Sequence, residues 1–145
     1  MAVMEGSCRF GLWFVHIRWS GNQVYQVRFS PAPLPGPVPV PLRRFLSGKA
    51  RDLNPLVSIA IADDSLYALI YRIVQGIPYG GTATYGDIAR EIDTAPRVVG
   101  QAMRRNPTPL LIPCHRVVAK SGPGGFTPSI EIKKALQALE RKGIK

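Results

Sequence analysis

Two residues that could carry out nucleophilic chemistry stand side by side in this chain. Cys114 is one of two cysteines and His115 is one of two histidines, and an apolar run leads into them. A thiol attacks carbon most effectively as a thiolate, and an imidazole commonly takes the thiol proton. Neighbouring side chains of an extended backbone point to opposite sides, so we expect a water between the two groups. A buried structural cysteine beside a core histidine is the more common arrangement of such a pair.

The composition limits the classes to which the protein can belong. The chain has 145 residues, of which 46% are apolar and 19% charged, and this predicts a globular protein of one domain or two small ones. No apolar stretch is long enough to span a membrane, and the N-terminus lacks the pattern of a secretory signal. Two cysteines cannot form a disulfide framework, so we expect a cytoplasmic protein. The Cys and His residues are too scattered for a metal site, and we expect neither a metal nor another cofactor.

Positive charge is concentrated toward the C-terminal end. The formal net charge is +10, and residues 90–145 hold eleven Lys and Arg against four acids, whereas residues 1–89 hold eight against five. Such an excess favours a phosphate-bearing partner, with nucleic acid the first candidate.

Two domains of different composition are expected. Residues 1–57 form a small α/β domain, and residues 58–145 form a mainly helical one. The elements of the first are strands within residues 3–30, a hairpin turn at 20–22, a connector with six prolines at 31–41 and a short helix at 42–49.

Short polar side chains predict where the helices of the second domain begin. Asp63 or Asp64 caps a helix that runs to about Gln75, Thr84 caps one over residues 85–92, and Thr94 caps one that ends near residue 106. A last helix covers residues 129–141. The first helix is expected to bury one stripe, made of Leu66, Leu69, Ile70 and Ile73.

The helices after Thr84 and Thr94 are short, and a tight turn joins them. The second carries Arg97, Arg104 and Arg105. A helix pair of this kind is typical of a DNA-binding helix-turn-helix, although many such pairs only pack against each other.

Three segments of the chain resemble the O6-alkylguanine-DNA alkyltransferases, also called methylated-DNA–protein-cysteine methyltransferases. Residues 112–118, Ile-Pro-Cys-His-Arg-Val-Val, are similar to the signature of that family almost letter for letter. Residues 97–107 resemble its recognition helix, and residues 77–89 resemble the segment that opens its first DNA-binding helix. The resemblance covers most of residues 63–140 in order and with fitting spacing, and the N-terminal part matches weakly.

The resemblance implies a chemistry for the opening pair. Cys114 would take the alkyl group from O6 of guanine, and from O4 of thymine, by in-line displacement and keep it as a thioether, so that each molecule acts once. His115 would take the thiol proton through a water, and Glu140 would orient His115. Asn106 would hold the nucleophile loop, while Tyr85 would help to rotate the nucleotide and supply a proton to the departing guanine.

The resemblance also implies a partner, double-stranded DNA containing O6-alkylguanine, with the damaged base flipped out of the stack. Arg97 would fill the gap that the base leaves, and Gly100 with Ala102 would keep one helix face small. The remaining DNA-binding residues would be Tyr85, Thr84 and Arg104, and the base pocket would be lined by Val117, Phe126, Thr127, Pro109 and Met103.

Four positions depart from the family pattern. Pro96 and Val98 are bulkier than the residues usual there, which affects how deeply the helix enters the groove. Phe126 stands where tyrosine is common, so stacking is kept but a hydroxyl is lost. Pro128 stands where glycine is frequent, and it is expected to narrow the pocket against bulky alkyl groups.

The architecture that the resemblance implies is an α/β N-terminal domain with ribonuclease H-like topology and a mostly α C-terminal domain with a winged-helix-like helix-turn-helix. We expect a monomer without a membrane partner, and leave clustering on DNA open. A non-enzymatic lesion sensor, a transcription regulator and a cysteine hydrolase are the alternatives. Sensors of this kind lack the cysteine, a regulator leaves Cys114 and Glu140 unexplained, and a hydrolase would turn over without DNA.

Overall fold

The computed structural model describes residues 2–143. The N-terminal part of the chain forms an antiparallel β-meander. Strand β2 lies between β1 and β3, and a two-residue strand β4 extends the sheet by pairing in parallel with β3. The aromatic run from Phe10 to Val15 is not one strand as its composition suggests, because Gly11, with a φ of +61°, turns the chain there. The strands are β1 (Met4–Phe10), β2 (Trp13–Ser20), β3 (Gln23–Ser30) and β4 (Val57–Ser58).

The proline-rich connector is fastened to the sheet. The Ser7 hydroxyl donates to the carbonyl of Leu34 at 2.9 Å and accepts from its N–H at 2.8 Å. Helix α1 (Val40–Leu46) follows and begins two residues earlier than predicted. It buries Leu42, Phe45 and Leu46.

Helix α2 (Leu66–Gln75) differs from its prediction in its cap and in its buried face. Ser65 caps it by accepting from the Ala68 N–H, whereas the carboxylate of Asp63, two residues before the cap, accepts from the Ser65 N–H. Its buried residues are Ala68, Ile70, Tyr71 and Val74. Leu66 and Leu69 are 46% and 42% exposed, so the predicted stripe is wrong at those two positions.

Helices α3 (Tyr85–Glu91) and α4 (Pro96–Arg104) form the helix pair, and only the first has the predicted cap. The Thr84 hydroxyl accepts from the Asp87 N–H and the Asp87 carboxylate accepts from the Thr84 N–H, which is a capping box. Ala95 occupies the cap position of α4, where Thr94 was expected. Pro96 explains the difference, because proline at the first helical position fixes the helical φ and leaves no N–H to cap.

A two-stranded parallel ladder connects the helix pair to the chain after Cys114. Strand β5 (Ala83–Thr84) immediately precedes α3, and it pairs with β6 (Val117–Val118). Helix α5 (Ile130–Gly143) ends the described chain. The sequence places Ile144 among the apolar neighbours of Glu140 on the last helix, and that residue lies outside the described residues. The start of α3 and the loop that carries Cys114 are therefore held in fixed register.

Two apolar cores flank that loop. The first joins the sheet and α1 to Leu110, Leu111, Ile132 and Leu136. The second joins α2, α3 and α4 to Ile112 and Val117. Consecutive loop residues are thus buried in different cores, and this fixes the backbone on both sides of Cys114. None of the helices within residues 2–143 has the length and apolar content needed to cross a membrane.

Candidate active site

Asn106 shapes the loop that presents Cys114. Its side-chain N–H₂ donates to the Ile112 carbonyl at 2.9 Å, and its carbonyl oxygen accepts from the Thr108 N–H at 3.0 Å. Cys114 then begins a single 3₁₀ turn that ends at Arg116, and its side chain is buried. The backbone at Cys114 and His115 is therefore helical. The prediction that their side chains point to opposite sides assumed an extended backbone, and that assumption is wrong here.

His115 and Glu140 form a buried hydrogen-bonded pair behind Cys114. His115 Nε2 lies 2.6 Å from Glu140 Oε2, and the two side chains are 0% and 2% exposed. Burial lowers the pKa of His115 although Glu140 opposes the shift, so the ring is neutral at pH 7. With its proton on Nε2, facing the carboxylate, the ring keeps Nδ1 as an acceptor. Within residues 2–143, that buried Nδ1 has no hydrogen-bond partner.

Arg116, to which the sequence argument gave no role, holds the carboxylate from another side. Its guanidinium donates to both oxygens of Glu140 at 2.8–3.2 Å and to the Ile77 carbonyl at 2.9 Å. The Gly80 N–H adds a further hydrogen bond of 3.0 Å to Oε1. Burial would raise the pKa of Glu140, but the hydrogen bonds from His115 and Arg116 outweigh it and lower that pKa to about 2. Glu140 is thus a fixed anion at neutral pH.

Lys133, which the sequence argument also missed, places a buried amine close to the thiol. Its Nζ donates to the carbonyls of Val117 at 2.6 Å and Gly125 at 3.1 Å, and it lies 5.9 Å from the centre of the Tyr85 ring. Burial lowers the pKa of Lys133 to about 8. Burial raises the pKa of Cys114 above its ordinary value, and hydrogen bonding by Asn106 and the charge of Lys133 offset only part of that rise. The lysine is thus the nearby cation that favours a thiolate.

Cys114 opens into a cavity of about 700 Å³ between α4, the loop at 125–128 and strand β3. This is enough for a drug-sized group or a nucleobase. The predicted residues that line it are Cys114, Tyr85, Arg97, Gly100, Met103, Arg104, Asn106, Pro109, Phe126 and Thr127, together with Pro96 and Pro128.

The other predicted site residues lie behind or beside the cavity. His115 and Glu140 lie behind Cys114, and Val117 is fully buried, with its carbonyl bonded to Lys133. Thr84 caps α3. Ala102 is fully buried in the second core, so Gly100 alone keeps the cavity face of α4 small.

The face of α4 turned toward the cavity is positively charged. Arg97 and Arg104 line the cavity and are exposed, and neither is in an ion pair with a carboxylate anywhere in residues 2–143. Arg105, just after α4, does not line the cavity and is turned toward Tyr67. Burial raises the pKa of Tyr85, and so does Cys114, so its hydroxyl keeps its proton at pH 7 and can donate it. No three His, Cys, Asp or Glu side chains of the described residues gather as metal ligands. The cavity thus combines a thiol, a proton donor and cations that can meet phosphate.

Comparison with known proteins defines the family. The pattern of the 6-O-methylguanine DNA methyltransferase DNA-binding domain matches residues 65–142, more than half of the chain, and the chain belongs to that family. A methylated-DNA–protein-cysteine methyltransferase of Methanocaldococcus jannaschii is 43% identical over 91 residues, which are 63% of this chain and 54% of that protein. The chain spans about half to two thirds of the length of the curated relatives it matches.

Solved structures show the same architecture over nearly the whole chain. An O6-methylguanine methyltransferase from Mycobacterium tuberculosis superposes with a TM-score of 0.80 at 25% identity, over 97% of this chain and 94% of that one. A structure of the Mycobacterium tuberculosis protein in complex with DNA gives 0.79 at 25% identity, over 94% and 92%. The likeness includes the N-terminal sheet, and confirms a mixed α/β fold.

Proposed function

We propose that this protein repairs DNA by removing alkyl groups from O6 of guanine, and from O4 of thymine, onto Cys114. The observation that carries the proposal is the buried thiol at the wall of a nucleobase-sized cavity, with a neutral His115 and an ionised Glu140 behind it. Membership of the family and the names of its relatives support the same reaction.

In the proposed reaction the protons and bonds balance without a cofactor. The thiol proton of Cys114 passes through a water to Nδ1 of His115, and Glu140 stabilises the imidazolium that forms. The thiolate attacks the alkyl carbon, a carbon–sulfur bond forms, and the bond from that carbon to O6 breaks. Tyr85 donates a proton toward the departing guanine. A thioether is not cleaved by any group in the site, so each molecule reacts once.

The proposed partner is double-stranded DNA, and the damaged base enters the cavity by flipping. Unstacking a base costs a few kcal/mol, which Arg97 in the stack and phosphate contacts from Thr84 and Arg104 would offset. Gly100 lets the backbone of α4 approach the DNA closely, since nothing lies within 4 Å of where its side chain would begin. Met103, Pro109, Phe126 and Thr127 would enclose the base.

Finer features of the architecture belong to the same proposal. We assign residues 1–57 to a ribonuclease H-like domain, on the basis of its three-stranded meander and helix, and residues 58–145 to a domain with a winged-helix-like helix-turn-helix. Cys8 and Cys114 are both free thiols, which supports a reducing compartment such as the cytoplasm. The protein is proposed to act as a monomer.

Intact mass tests the reaction. After incubation with a duplex containing O6-methylguanine, the protein should gain one methyl group, and the Cys114→Ser variant should gain none. The undamaged duplex serves as the control. Tight binding of the lesion with no gain in mass would reject alkyl transfer in favour of a sensor.

A further inference from the structure

The N-terminal sheet forms part of the cavity wall, although every site residue predicted from the sequence lies at position 84 or later. Val27, Arg28 and Phe29, consecutive residues of β3, all line the cavity. The Val27 N–H also donates to the Pro107 carbonyl at 2.8 Å, in the turn between α4 and the loop that carries Cys114. The strand is therefore fixed against the loop whose geometry determines access to the thiol.

Within this wall, Phe29 supports Phe126 from behind. The two ring centroids are 5.6 Å apart and the rings are tilted by 59°. Phe29 is 6% exposed and belongs to the first core, whereas Phe126 is half-buried. Both residues line the cavity, and Phe126 is the more exposed of the two. A tilted aromatic pair at this distance is more favourable than the burial of its area alone would make it.

The loop that carries Phe126 has few other attachments. Lys133 Nζ holds the Gly125 carbonyl at 3.1 Å, and the Tyr85 ring packs against Gly124. Gly122 forms a bridge only with Ala119, within the loop itself. Thr127 and Pro128 are exposed. The distance between the Phe126 ring and the opposite wall therefore depends on Phe29 and on the contacts that Tyr85 and Lys133 make with the two glycines before Phe126.

We propose that Phe29 is a positioning residue that sets the size of alkyl group the site accepts, through its contact with Phe126. This inference rests on the proposed function. Protein cores are close-packed, so a smaller side chain at position 29 leaves a void that a neighbouring ring can enter. Phe126 would then retreat toward the sheet, and the cavity would widen on the side that receives the flipped base.

Competition between two duplexes that differ only in the alkyl group tests the proposal. One contains O6-methylguanine and the other O6-benzylguanine, and the masses of the two protein adducts give the ratio of the two rates. For Phe29→Leu we expect the ratio of benzyl to methyl transfer to rise roughly tenfold, the lower end of what a methylene-sized change in an apolar pocket produces. Phe29→Met, whose side chain has nearly the volume of leucine but is unbranched and flexible, should raise the ratio in the same direction and serves if the leucine variant does not fold.

The matched control is Val24→Ala, a large-to-small change in the same strand and the same core. Val24 is fully buried and does not line the cavity. Its variant should lose stability in urea unfolding while keeping the wild-type ratio. A ratio that moves equally in Val24→Ala and Phe29→Leu would overturn the proposal, and so would an unchanged ratio in both.

A double-mutant cycle tests whether the effect passes through Phe126. Phe126→Leu alone should raise the ratio, and adding Phe29→Leu should raise it little further, because the group through which Phe29 acts is already gone. Fully additive effects would overturn the assigned route. If the wild-type protein takes neither alkyl group, the proposed function fails. If it takes both with the same ratio as Phe29→Leu, only this inference fails.

Discussion

The buried carboxylate of Glu140 makes part of the stability of this fold depend on pH, because it stabilises the folded state only while it is ionised. Its pKa is about 2, compared with an ordinary value of 4.5. A difference of roughly 2.5 pKa units corresponds to about 3 kcal/mol, at 1.36 kcal/mol per unit. Because the pKa is lower in the folded state, this contribution is fully present above about pH 4.5. It is lost as the pH falls from there toward 2.

The substitution Glu140→Gln removes this titration, and it also lowers the stability of the folded protein at neutral pH. Arg116, which is 8% exposed, would lose its anion and remain a buried cation. Breaking one side of a buried ion pair costs about 3–5 kcal/mol, so the variant should be less stable by that amount at pH 7. Between pH 4.5 and pH 2 the wild type loses about 3 kcal/mol that the variant does not. The two stabilities should therefore converge in acid.

Urea unfolding at pH 7, 4.5 and 3, followed by circular dichroism, measures this convergence. The matched control is Glu131→Gln on the same helix, whose carboxylate is 71% exposed and whose lysine contact is 3.7 Å long. That variant should follow the wild type within about 0.5 kcal/mol at every pH. If the wild type and Glu140→Gln differ by a constant free energy from pH 7 to pH 3, the low pKa of Glu140 and the reasoning from it are wrong.

Three further predictions concern the cavity. Arg97→Ala should slow transfer from duplex DNA far more than transfer from free O6-benzylguanine, because only the duplex leaves a gap in its stack; equal losses in the two rates would refute that role. Lys133→Met should shift the pH dependence of the rate of transfer from free O6-benzylguanine to higher pH, because loss of the cation raises the pKa of Cys114. A pH dependence that is unchanged between pH 6 and 9 would contradict this. Asn106→Ala should lower the free energy of unfolding in urea by about 3–5 kcal/mol. Each of the two lost hydrogen bonds contributes roughly 1 kcal/mol, and the Ile112 carbonyl, left buried without a partner, adds about 1–3 kcal/mol. A loss under about 0.5 kcal/mol would show that the turn holds without Asn106.

Features that depend only on neighbouring residues in the sequence could be predicted. Features that depend on contacts with residues far away in the sequence could not. Thr84 is an N-cap with its capping-box acid three residues later, and the pattern is complete within four residues. Thr94 has the right side chain for a cap, but Pro96 moves the helix start by one residue. Leu66 and Leu69 fit the helical period, yet the packing of α2 turns a different face to the core.

The site shows the same division between local and distant information. Cys114 and His115 can be recognised because they are adjacent. Glu140 is one of only two acids after them, and the resemblance implies that it orients His115. Arg116 and Lys133 look in sequence like two among many exposed cations. Only their burial against Glu140 and against the thiol, through elements more than fifteen residues apart, reveals what they do. The contribution of β3 to the cavity likewise depends on the packing of the two cores.

The count and position of transferred alkyl groups test the central claim most directly. With a threefold excess of duplex containing O6-methylguanine, followed by digestion and peptide mass analysis, we predict that methyl uptake stops at one per protein. The methyl group should lie on the peptide that holds Cys114, with Cys8 unmodified. Repair of more lesions than there are protein molecules, or methylation found on Cys8, would contradict a single-use acceptor at Cys114.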